Sequence, residues 1–84
     1  MPENLQPQFQ KDLPLHRWRG ELSAQISHPA VRWAFCVTRW STDPAEAAGL
    51  LERHAIDIPE EHRPIFSGAR SRLLAYMAAA ALPG

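Results

Sequence analysis

The sequence predicts an all-α domain: a small bundle of three to four short helices behind an extended, proline-rich N-terminal arm. Three observations point there. Apolar residues recur at spacings of three and four over much of the chain. Asp43, Pro44 and Glu46 together spell out a helix start. A chain of 84 residues has room for only one hydrophobic core. The expected organisation is an extended or disordered arm over residues 1–14 and a single helical domain over residues 15–84. The alternative is an α+β fold in which residues 15–40 form a β-hairpin packed on two helices.

The arm is expected because Pro2, Pro7 and Pro14 each fix φ and remove a backbone donor. Leu5, Phe9, Leu13 and Leu15 are dense enough to lie along a groove. A first helix follows from Leu15, Trp18, Leu22 and Ile26, which share one helical stripe, although Gly20 opposes it by about 1 kcal/mol relative to alanine. Ser27 before His28 and Pro29 offers a hydroxyl cap and a proline in the first turn of a second helix. Over Ala30–Trp40 two periods compete. Val31, Trp33, Phe35 and Val37 alternate as in a strand, whereas Ala30, Trp33, Ala34 and Val37 follow a helical stripe. The preceding cap favours the helix.

A third helix is expected from about Pro44 to His54, with Ala47, Leu50, Leu51 and His54 inward and Ala48–Gly49 open to a close neighbour. Pro59 and Pro64 make residues 55–64 a loop pinned by Ile56 and Ile58, with room for one helical turn at Pro59. The last helix runs from Ile65 or Ser67 to Ala81 and ends at Pro83–Gly84. Phe66, Ala69, Leu73, Tyr76, Met77 and Ala80 form its apolar stripe, and past Leu74 it has no charged face.

Nine basic residues balance nine acidic ones, so no net field draws the chain to nucleic acid or to an anionic membrane. The single Cys36 excludes an intrachain disulfide and reads as a core residue. The opening MPENLQPQFQ has neither the basic leader nor the apolar run of a secretory signal, so the cytoplasm is the expected compartment.

Three Arg–Trp groupings stand out: Arg17–Trp18–Arg19, Arg32–Trp33 and Arg39–Trp40. Planar guanidinium and indole groups give large contact area at little entropic cost, which suits a protein interface; the same groups can stack on single-stranded nucleic acid. Equally, the indoles can form the core while the arginines face water. Tyr76 and Met77 belong to the uncharged end of the last helix, the second candidate contact surface.

The four histidines form no HxxxH pair, so no metal or other cofactor is expected. Asp57, Glu60, Glu61 and His62 read as a solvated loop, the glycines form no phosphate loop, and no nucleophile elbow is present. A helix-turn-helix over residues 30–54 fails because its reading helix would present Glu46 and Glu52 to phosphates. The expectation is a non-catalytic protein-binding module (adaptor, inhibitor or accessory subunit) that docks on a partner or on a second copy. Its candidate contact residues are Arg17, Trp18, Arg19, Arg32, Trp33, Arg39, Trp40, Tyr76 and Met77. A small nucleic-acid-binding regulator using Arg–Trp stacking is the alternative, and no membrane association is expected.

Overall fold

Helical periodicity prevails along the chain. The computed structural model, which describes the backbone of residues 6–81 and the side chains of residues 13–81, contains four α-helices: α1 (Gln6–Ser23), α2 (Pro29–Thr38), α3 (Pro44–His54) and α4 (Arg63–Ala81). No strand forms among the described residues, so the hairpin over 15–40 is not adopted. The ends expected to be arm (residues 1–5) and helix stop (Pro83–Gly84) lie outside the described residues.

α4 is the spine, packed against each of the other three helices. α1 lies antiparallel to it. Leu13, Pro14 and Arg17 face Tyr76, Ala79 and Ala80, while Leu22 and Gln25 face Ile65, Gly68 and Ala69. The pair is joined at Trp18, whose fully buried indole donates from Nε1 to the Ala69 carbonyl at 2.6 Å. Buried indoles normally find such an acceptor, because an unpaired N–H would forfeit its hydration. Around Trp18 the core combines bulky Phe66, Leu51, Ile58 and Leu73 with small Ala30, Ala34, Ala47, Ala48 and Ala69. Alternating large and small side chains lets helices interdigitate without voids.

α1 takes in residues 6–14, which the prolines had suggested would be extended. Pro7 falls in the first turn, where its missing N–H costs nothing. Pro14 lies inside the helix and removes one rung, yet it is buried, and its ring faces α4 across a shallow cavity. Ile26 leaves the predicted stripe because α1 ends at Ser23 and the chain turns through Ala24–Ser27.

α2 is capped not by Ser27 but by His28, whose Nδ1 accepts from the Ala30 N–H at 3.1 Å. Its buried face is Ala30, Val31, Ala34 and Thr38, with the Thr38 hydroxyl donating to the Ala34 carbonyl at 2.7 Å. That choice of face turns Trp33 and Cys36 outward, against the expectation that Cys36 is buried.

α3 starts as the sequence says. The Asp43 carboxylate accepts from Ala45 N–H at 3.1 Å, and Pro44 opens the first turn. Its inner face is Pro44, Ala47, Ala48 and Leu51. Gly49 faces open space, so no neighbour approaches there. The connection to α4 is two 3-10 turns, Ala55–Asp57 and Glu60–His62. Only Ile58 pins it, since Ile56 sits on the outside of the first turn at 77% exposure. α4 begins at Arg63, two residues before the earliest predicted start, because Pro64 fits a first turn. Its arginines reach sideways: Arg63 to the Ile58 carbonyl, and Arg70 to the Ala48 carbonyl and Glu52.

Two stability outcomes follow, both measurable by urea unfolding. Trp18→Ala should lose about 3–5 kcal/mol by leaving a cavity, and Trp18→Phe about 1–2 kcal/mol through the lost hydrogen bond and the smaller ring. Gly20→Ala, in a helix interior with nothing within 4 Å of the new methyl group, should gain about 0.5–1 kcal/mol.

Candidate interaction surface

The nine residues singled out in the sequence divide among the core, two surfaces and a cleft. Trp18 belongs to the core and is unavailable to any partner. Arg32, Trp33, Arg39 and Trp40 gather on the outer side of α2. Positions 29, 32, 33, 36, 39 and 40 fall within one arc of a 3.6-residue helix, and all six are exposed. Trp33, on α2, is 45% exposed and Trp40, in the turn that follows it, 83%, opposite an inner face of Ala30, Val31, Ala34 and Thr38. The Arg39 guanidinium rests over the Trp40 ring at 5.2 Å, within cation–π range. Cys36 lies between the two indoles along the same side.

Arg17, Tyr76 and Met77 belong to the α1–α4 end. Arg17 is exposed and borders, with Leu13, Pro14, Tyr76, Ala79 and Ala80, a cavity of about 220 Å³. Tyr76 and Met77 pack half-buried against the core and offer only their edges. From Ala78 to Ala81 the end of α4 is exposed and uncharged.

Nothing in the residue pattern singles out Glu21, which bridges α1 to this end of α4. Its two carboxylate oxygens accept separately from the Arg72 guanidinium and the Tyr76 hydroxyl. The Tyr76 hydrogen bond, then the Arg72 one, holds the Glu21 carboxyl below its ordinary pKa; the same carboxylate raises the pKa of Tyr76 and of Arg72.

Arg19 stands apart from the other arginines. One Nη donates to the Thr38 carbonyl at the C-terminus of α2, where a cation complements the helix dipole. Its Cζ lies 5.9 Å from the centre of the Phe35 ring. Partial burial lowers its pKa from the ordinary value. With Leu15, His16, Arg39, Ser41 and Thr42 it lines a cleft of about 320 Å³ between α1 and the end of α2. Ser41 carries no signal in the sequence, and Thr42 only that of the helix start it forms with Asp43, Pro44 and Glu46. They are ordinary loop residues whose place beside Arg19 exists only once α1 and α2 are folded together.

Among the described residues no three His, Cys, Asp or Glu side chains converge as metal ligands would. The histidine rings nearest each other are His28 and His62, edge to face at 5.5 Å. No described helix is long and apolar enough to cross a membrane.

In comparisons with known protein families, curated proteins and solved structures, the chain matches none.

The clamp at Glu21 sets a pH dependence. A carboxyl whose pKa is depressed on folding stabilises the fold above its unfolded value of about 4.3, and that contribution is lost as pH falls through the lower folded value. Thermal midpoints should therefore fall on acidification below about pH 4, and the fall should be shallower in Glu21→Gln. Tyr76→Phe should lower the midpoint at neutral pH and shrink the same acid response, by removing the larger of the two hydrogen bonds on the carboxylate.

Proposed function

We propose that the chain is a small, non-catalytic, cytoplasmic protein-binding module that docks on a partner protein through the outer side of α2. The uncharged end of α4 is a second contact surface. The observation that carries this reading is the placement of Trp33 and Trp40 outside the core, flanked by Arg32 and Arg39. Leaving two indoles exposed, one on α2 and one in the turn after it, forgoes roughly 2 kcal/mol or more of burial at each, and tryptophan and arginine are the residues most enriched where binding energy concentrates. The small alanines among the core residues hold the helices close, and two more indoles there would force them apart, so Trp33 and Trp40 are available to another surface.

An interface centred on this side would have an aromatic middle and a charged rim, the usual anatomy of a protein–protein contact. Nucleic acid is the alternative occupant of the same side. It is less favoured because the chain has no net positive charge and Arg39 already lies over one face of Trp40.

Light scattering coupled to size exclusion, and affinity capture from native lysate, test the proposal. Trp33→Ala and Trp40→Ala should keep the wild-type circular dichroism while losing the captured partner, or the dimer, by tenfold or more in affinity, about 1.4 kcal/mol or above. A monomer that captures nothing, or variants that capture as well as wild type, would refute it. A mobility shift of oligonucleotides at low salt would transfer the assignment to nucleic acid.

A further inference from the structure

We propose that the cleft between α1 and the C-terminal end of α2 binds a phosphoryl group, either as inorganic phosphate or as the phosphomonoester of a small metabolite. The argument starts from Ser41. The residue is 92% buried (8% relative exposure), and its hydroxyl is shielded from solvent with no hydrogen-bond partner in the protein, the only such buried side-chain atom among the described residues. A hydroxyl left unpaired at that depth costs about 1–3 kcal/mol unless something else completes it.

Ser41 lines a cleft of about 320 Å³ whose other walls are Leu15, His16, Arg19, Arg39 and Thr42. Two guanidinium groups therefore border the volume that Ser41 borders. Neither forms an ion pair with any described carboxylate. Arg19 commits one Nη to the Thr38 carbonyl, which fixes the side chain while leaving other N–H groups of its fork uncommitted. The neighbouring acid, Asp43, is engaged in capping Ala45.

The chemistry of this set selects the ligand. Two permanent cations match a dianion, and planar guanidinium forks match the spacing of phosphoryl oxygens. The hydroxyls of Ser41 and Thr42 and a ring N–H of His16 add donors beyond what a carboxylate's two oxygens would use. Buried Leu15 excludes water from one wall and so strengthens the charge interactions. The volume lies at the small end of ligand sites, with room for a phosphoryl group and a short carbon skeleton. This inference shares Arg39 with the outer side of α2 but does not require that side to meet a protein, since Arg19, Ser41 and Thr42 have no part in it.

The test is a titration of the isolated chain followed by amide and indole chemical shifts at constant ionic strength. Inorganic phosphate is used in one arm, glycerol 3-phosphate in a second and chloride alone in a third. Saturable shifts confined to residues near 15–19 and 38–43, with movement of the Trp40 indole signal as Arg39 is drawn to the anion, are expected in the first two arms. Tighter binding of glycerol 3-phosphate assigns the site to an organic phosphomonoester, whereas equal or weaker binding assigns it to phosphate itself.

Arg39→Gln, an exposed substitution that leaves α1 anchored, should weaken binding about tenfold or more. Ser41→Ala, which removes an unpaired hydroxyl and so should not unfold the chain, should weaken it several-fold. Shifts that do not saturate, that appear equally with chloride, that lie elsewhere, or that are unchanged in both variants would overturn the proposal. Loss of partner capture in Trp33→Ala with this titration intact would separate the two readings.

Discussion

The packing of Trp18 against α4 is the constraint on which the rest of the molecule depends. Its ring fills the space that the alanines of α2, α3 and α4 leave open, and its N–H is satisfied by a carbonyl 51 residues away. A smaller residue there would leave the alanine faces with nothing to close around, and without the acceptor the indole would carry an unpaired donor in the core. One residue thus sets both the helix spacing and the antiparallel register of α1 on α4. Glu21, one turn further along α1, repeats that register in polar terms by bridging to Arg72 and Tyr76.

That solution decides what α2 presents to solvent. A helix packed closely against two neighbours must turn small residues inward, so Ala30 and Ala34 take the inside and the bulky members of the same segment go out. The outer side is consequently more aromatic than the inner one, an inversion of the usual amphipathic order. The end of α2 is fastened by Arg19 from α1, and that tether brings Arg19 and Arg39 to one cleft. The exposed Arg–Trp side and the cleft beside it are thus adjacent products of one packing choice.

How much of this was legible in the sequence varies with how local the signal is. The start of α3 was readable in full because Asp43 and Pro44 act within one turn. The inner stripe of α4 was readable down to Leu73, since periodicity is a property of the helix itself. Residues 6–14 of the expected arm are helical: the rule for proline is local, whereas the burial of Pro14 against α4 is not. His28 displaced Ser27 as the cap because either side chain could supply an acceptor and only the entry angle of the chain decides between them.

The Trp residues were indistinguishable in sequence, each beside an arginine. The difference between Trp18 and Trp33 is which face meets α4, a tertiary fact. For the same reason Cys36 read as core and lies outside. The cleft beside Arg19 had no sequence signature at all, as its walls come from positions 15–19 and 39–42, brought together only by folding.

The joining of α1 to α4 also bears on how the chain is made. Because the residues that receive Trp18 lie in the last quarter of the chain, translation exposes this indole long before its acceptor leaves the ribosome. The contacts between α2 and α3 involve only neighbouring segments and can close first. α1 is thus seated only after α4 is made, and during that interval the nascent protein displays a hydrophobic segment that chaperones are suited to shield.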